Sequence, residues 1–281
     1  MRIILVTALK AEAKPFIANY CLKKDMTSSA FPIYHNKNLS LIISGTGKIR
    51  SAMAATLLLS RQKNDGTLLV NPGICGAAAS ISPLSEVFSV HKVTDADTNR
   101  DYYPDLYPES VPESRSLFCF STPVFQTDRI EKNIPESALV DMESAGIMEA
   151  SEHFLFAQQV LLLKIPSDYL TPKKLDPQLP ERLIDSQFSV IHQAIQQQWN
   201  ALPKEDERLS EILSHYDAKG RELRFSNAMN RQLEMDVRFA YAQGKNPLIS
   251  LAAVSPAENI TKEEGKRIFA DLRKELRQTV L

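Results

Sequence analysis

The chain has 281 residues, 43% of them hydrophobic, enough to bury a large core, and its 33 basic and 34 acidic side chains nearly cancel. That balance gives no electrostatic case for nucleic acid or an acidic membrane as partner, and a small neutral or zwitterionic ligand suits it better. Cys21, Cys75 and Cys119 are odd in number and far apart, which disfavours a disulfide framework and a zinc site and points to a reducing compartment.

In chain order, the apolar opening Ile3-Ile4-Leu5-Val6 is too short for the core of a signal peptide, and no later stretch reaches the roughly 18 apolar residues of a membrane span. A cytoplasmic location is expected. Ile3 to Thr7 reads as a strand leading into an Ala/Lys/Glu segment, and Leu39 to Ile43 leads through Gly45 and Gly47 into a helix from Ser51 to Leu59. Leu68 to Val70 leads into a loop at Asn71-Pro72-Gly73, and Val160 to Ile165 into Pro166-Ser167-Asp168. Runs such as Leu161-Leu162-Leu163 have the continuous apolar character of strands covered on both faces. Strand, small-residue turn and helix in repeated order predict an α/β protein with a partly parallel sheet.

Thr94 to Pro123 reads as a long loop, with Pro104, Pro108, Pro112 and Pro123 among Tyr102, Tyr103 and Tyr107. A helix from about Pro180 to Asn200 closes the main domain, residues 1–203. Residues 204–281 form a helical extension, with helices expected at Glu205 to Tyr216, Ser226 to Ala242 and Lys262 to Leu276. Thr261 and Glu264 have the spacing of a capping box for the last of these. The extension carries 14 basic and 13 acidic residues, so Arg221, Arg224, Arg231 and Arg238 are better read as a solvated face than as a nucleic-acid stripe.

Ligands of open α/β sheets sit at the carboxyl ends of strands, and polar residues follow the apolar runs at four places. These are Glu12, Asn71-Pro72-Gly73-Ile74-Cys75-Gly76, Val140-Asp141-Met142-Glu143-Ser144-Ala145 and Ser167-Asp168. Each has an ordinary reading: Glu12 as a first-turn helix carboxylate, Asp168 as the cap of a turn, Glu143 as a solvated helix residue. Gly45-Thr46-Gly47-Lys48 has neither the dinucleotide nor the P-loop spacing. Tight packing of the following helix, with Ala52 and Ala55, accounts for its glycines.

The ordered set is more specific than its members. Together with Ala8-Leu9-Lys10-Ala11-Glu12 and Ser44-Gly45-Thr46-Gly47-Lys48, these motifs resemble the methylthioadenosine/S-adenosylhomocysteine nucleosidases of the nucleoside phosphorylase family, over roughly residues 1 to 200. The resemblance implies a three-layer α/β/α fold with a central mixed, largely parallel twisted sheet. It also implies cleavage of a purine N-glycosidic bond without metal or cofactor, in a homodimer.

Carried over residue by residue, the resemblance makes Asp168 the acid that protonates the departing purine at N7, with Ser167 orienting it. Burial of such an acid favours its protonated form. Glu143 matches the ribose-binding carboxylate, Met142 packs against the sugar, and Glu12 matches the base that activates water. Phe125, followed by Gln126, is the candidate for stacking on the base, against an ordinary role in the core. Leu9 and Tyr103 would line the 5′ region, and Ile74 stands where the nucleosidases usually carry Ser. Phosphorolysis is the alternative reaction, but no Arg stands in Leu69 to Ile74 to hold phosphate, and Glu12 would repel it. A nucleoside-binding protein without turnover, using the helical extension as an interaction module, is the other alternative.

Overall fold

In the computed structural model the described residues are 2–28, 30–61, 66–79, 82–106, 108–111, 113–129, 131–171, 176–202, 206–252, 254 and 260–277. Tyr107, Pro112 and Glu205 lie outside them. The chain divides into two compact units, residues 1–203 and 204–281.

In the first unit β1 (Arg2–Thr7) pairs in parallel with β4 (Leu39–Ile43) on one side and with β5 (Thr67–Ala77) on the other. Beyond β4 the antiparallel β3 (Ile33–His35) and β2 (Lys23–Lys24) complete this side. Beyond β5 the sheet closes on itself. β5 pairs with both β10 (Val160–Asp168) and β9 (Leu139–Asp141), β9 with β8 (Ser114–Cys119), β8 with β6 (Phe88–Asp95), and β6 with β10. The short β7 (Arg100–Tyr102) lies against β6.

Five of the strand pairings among the described residues are parallel and five antiparallel. The sheet is therefore mixed as expected, but it is evenly rather than largely parallel, and part of it forms a five-stranded ring. Within the ring β5 and β10 run one way and β6, β8 and β9 the other.

Helices cover both faces. Ile4, Val6, Ile42 and Leu69 pack with α2 (Lys48–Leu59) and α3 (Ser144–Glu152), while Leu5, Leu41, Leu68 and Val70 pack with α1 (Lys10–Asn19), α4 (Leu179–Ser186) and α5 (Phe188–Ala201). Successive strand residues point to opposite faces, so an uninterrupted apolar run feeds both layers.

Several local expectations are corrected. Asn71-Pro72-Gly73 is not a loop but the middle of β5, with Pro72 opposite Leu163. Thr94 to Pro123 contains β7 and β8, whose polar alternation hides them. The helix expected over 180–200 breaks at Gln187 into α4 and α5. Gly47 has open space where a Cβ would stand, so its positive φ of 107°, rather than close packing, requires the glycine; Gly45, at φ 77°, also faces the Arg50 side chain, 2.9 Å from where its Cβ would lie.

The second unit comprises α6 (Glu207–Glu222), α7 (Asn227–Ala242), α8 (Pro247–Ala252) and α9 (Lys262–Arg277) around its own apolar cluster, including Ile212, Tyr216, Leu233, Val237 and Leu272. The Thr261–Glu264 capping box forms in both directions, the Thr261 N–H reaching Glu264 Oε2 at 2.9 Å and the Glu264 N–H reaching Thr261 Oγ1 at 3.3 Å. Arg221 and Arg238 pair within their own helices with Asp217 and Glu234, as on a solvated face.

Candidate active site

Glu12 stands in the first turn of α1, as its helix-cap reading requires, yet it is almost fully buried, at 3% exposure. Its Oε2 accepts the N–H groups of Ala8 (3.0 Å) and Leu9 (2.8 Å), and its Oε1 accepts that of Ile74 (3.0 Å) across on β5. This makes the Glu half of a capping box; Leu9, at the N-cap, has no side-chain acceptor to return the bond. Gly73 gives the carboxylate room: a Cβ there would lie 3.1 Å from Oε1. Burial raises the Glu12 pKa, against the three backbone donors and the Lys164 charge, which favour the anion.

Lys164 is the residue that sequence reasoning passed over. Its ammonium, inside β10, is buried against Asp141 Oδ2 (2.9 Å) and Asn71 Oδ1 (2.6 Å). Asn71 in turn donates to the Val6 carbonyl at 2.8 Å, tying the site to β1. Burial alone would lower the Lys164 pKa, but the charges of Asp141, Glu143 and Glu12 more than reverse it, and the residue stays cationic. A single Lys in an otherwise apolar run was the available signal, since a charge in a two-sided buried strand requires a partner.

Glu143 is not a solvated helix residue. It is the N-cap of α3, 8% exposed, and its Oε1 accepts the Gly47 N–H at 2.8 Å. Ser51 Oγ donates to its main-chain carbonyl at 2.9 Å. Burial and then repulsion from Asp141 push its pKa up to about 7, against the attraction of Lys164. Asp141 accepts both the backbone N–H (3.1 Å) and the hydroxyl (2.5 Å) of Ser144, the first residue of α3. The Gly47 turn is held from the other side by Lys48, which pairs with Asp95 at 2.5 Å and with Asp97.

Asp168 ends β10, opposite Gly76 of β5, and is half-buried. Ser167 Oγ is 2.9 Å from its Oδ2, as expected for an orienting hydroxyl, and 3.1 Å from the Cys75 carbonyl; its single proton serves one acceptor at a time. Asp168 Oδ1 also accepts the Thr171 N–H at 3.2 Å, the bond that its turn-capping reading requires.

Leu9 and Ile74 join the site through their N–H groups on Glu12, and Met142 lies between Asp141 and Glu143, half-buried. Phe125 is 40% exposed rather than a core residue, and the segment it shares with Gln126 meets the Asp168 arm where the Gln126 N–H donates to the Leu170 carbonyl at 2.9 Å. Tyr103 is exposed beside Lys92, its hydroxyl 3.3 Å from Asp101 Oδ2, with no bond to the other candidates.

The fold has close structural counterparts. The 5′-methylthioadenosine nucleosidase of Arabidopsis thaliana, in apo form, superposes with a TM-score of 0.59 at 16% identity, over 72% of this chain and 97% of that one. For the Streptococcus pneumoniae MTA/SAH nucleosidase in complex with 8-aminoadenine the values are 0.55 and 18%, over 70% and 100%. For the futalosine hydrolase of Helicobacter pylori they are 0.57 and 14%, over 70% and 97%. The chain thus has the fold of the nucleoside phosphorylase and hydrolase proteins. No family model and no curated protein matches the sequence.

Proposed function

We propose that the first unit hydrolyses the N-glycosidic bond of a purine nucleoside, with methylthioadenosine and S-adenosylhomocysteine as the leading substrates. The observation that carries the reading is the placement of Glu12. Its carboxylate accepts the Ala8, Leu9 and Ile74 N–H groups, fixing an anion that would repel phosphate, while Oε1 keeps a free lone pair for a water molecule. Lys164, already engaged by Asp141 and Asn71, is not available to a phosphate either.

In this mechanism Glu12 takes a proton from water as the water oxygen bonds to the anomeric carbon. The carbon–nitrogen bond breaks, its electron pair passes to the purine, and Asp168 delivers a proton to N7. Glu143 accepts hydrogen bonds from the ribose hydroxyls and, as an anion, favours the positive charge that develops on the sugar. Met142 packs against the sugar, Phe125 stacks on the base with Gln126 beside it, and Ser167 orients Asp168. Leu9, Ile74 and Tyr103 line the 5′ side. This mechanism calls on no metal or cofactor.

Ile49 and Met53, exposed one turn apart on α2, offer a face for the homodimer, which sedimentation would test. No described helix is long and apolar enough to cross a membrane.

The decisive measurement incubates the protein with a nucleoside panel, with and without phosphate, and identifies both products. Free adenine with free sugar is expected, independent of phosphate, and Asp168→Asn should lower kcat by about 10²–10⁴-fold. Sugar 1-phosphate would replace the hydrolase reading by phosphorolysis. Nucleoside binding without base release would replace it by a binding role.

A further inference from the structure

Leu170 is the one buried apolar side chain of the described residues held in the left-handed backbone region, with φ at 55° and 5% exposure. A γ-branched residue adopts this conformation only where its surroundings impose it. Three sets of surroundings do so. Leu170 falls within the turn that Asp168 Oδ1 closes by accepting the Thr171 N–H. Its Cδ2 fills the place of the side chain that Gly76 lacks, where a Cβ would stand 2.4 Å away. Its side chain also joins Val124, Phe120, Ile134 and Val140 in a small apolar cluster apart from the main core.

These contacts unite the separate pieces of the site. Gly76 is paired with Asp168 on one side and with Val140, three residues before Glu143, on the other. The Leu170 carbonyl accepts the Gln126 N–H, and the Phe125 N–H is held from below by Asp128 Oδ2 at 3.0 Å. One residue therefore touches the strand end that carries Asp168, the strand beside Glu143, and the segment that carries Phe125.

We propose that Leu170 is a positioning residue, a latch that docks the Phe125–Gln126 segment against the Asp168 arm so that both address the same base. The inference rests on the purine reading above, but its structural half does not need turnover. Gly76 is the slot of the latch. A Cβ at Gly76 clashes with the flexible end of Leu170 alone, the Val140 carbonyl oxygen standing at an ordinary 3.8 Å, so Gly76→Ala must displace Leu170, and shortening Leu170 must remove that conflict.

The test uses the full-length chain and its Leu170→Ala, Gly76→Ala and doubly substituted forms. Amide hydrogen exchange is read without ligand, adenine affinity by calorimetry, and kcat and KM with methylthioadenosine. In the unsubstituted protein the Gln126 amide should exchange at least about tenfold more slowly than an unstructured amide. Leu170→Ala should remove that protection, weaken adenine about tenfold and raise KM more than it lowers kcat. Gly76→Ala should act in the same direction, and the double variant should fall well short of the sum, because the clash is gone. An unprotected Gln126 amide in the unsubstituted protein would overturn the latch even if no variant folds. Additivity in the double variant would overturn it too, as would adenine binding unchanged by Leu170→Ala. Absence of both adenine binding and base release in the unsubstituted protein would instead sink the purine reading, leaving exchange and additivity to decide the latch.

Discussion

At the residue scale, the site is a problem of charge compensation. Glu12, Asp141 and Glu143 are all buried, and Lys164 is the cation whose field reaches Glu12 and Glu143 while it pairs directly with Asp141. Removing one partner of a buried pair leaves the other uncompensated, so Lys164→Met should cost about 3–5 kcal/mol in urea unfolding and move the Glu143 titration above its present midpoint. Glu143 itself gives a signed prediction. Its folded pKa, about 7, lies above the unfolded value near 4.5, so the folded state binds the proton more tightly. The stability this provides is complete below pH 4.5 and is lost as pH rises through 7. Glu143→Gln keeps an acceptor for the Gly47 N–H and carries no charge. Its melting temperature should therefore exceed that of the unsubstituted protein at pH 8, with the difference vanishing near pH 4.

At the element scale, the candidate groups are placed by the meeting of helix starts with strand ends. Glu12 opens α1, Gly47 precedes α2 and Glu143 caps α3, and the last two are bonded to each other. The approach of α2 to α3 is limited by Gly146, where a Cβ would lie 2.0 Å from the Lys48 carbonyl oxygen. Backbone cannot give way as a side chain can. Gly146→Ala should therefore spread the two helices, lower stability by roughly 1–3 kcal/mol and reduce base release by separating Gly47 from Glu143; parallel melting curves and turnover assays check both. Among these elements Glu12 and Gly47 were the most legible, because each follows a recognisable apolar strand, β1 or β4. β6, β8 and β9 were not legible. They are short or interrupted by polar residues, and their pairings join segments distant in sequence.

At the scale of the whole molecule, the two units each hold a separate apolar cluster, and the second is fastened by a buried carboxylate. Asp236, 4% exposed, accepts from Arg273 Nε at 2.6 Å and from Arg277 Nε at 2.7 Å, bridging α7 to α9. Asp236→Ala should cost about 3 kcal/mol, the lower end of the range for breaking a buried ion pair, because the arginines are partly exposed. Hydrogen exchange should locate the loss in residues 206–277 and leave 2–202 unchanged if the units unfold independently, as their separate clusters imply.

Local pattern by itself determined the α/β class, the strands β1, β4 and β10 and the helices α6, α7 and α9, but not the short α8, because hydrophobic periodicity and caps act within a few residues. The ordered motifs also carried the resemblance that singled out Glu12, Glu143 and Asp168. Tertiary structure alone decided that the sheet closes into a ring, that Asn71-Pro72-Gly73 continues a strand, and that Lys164 turns inward to Asp141. It also decided that Leu170 joins the Asp168 arm to the Phe125 segment. Each of these depends on which distant segments become neighbours, and on the cost of burying a charge or a strained backbone once they do.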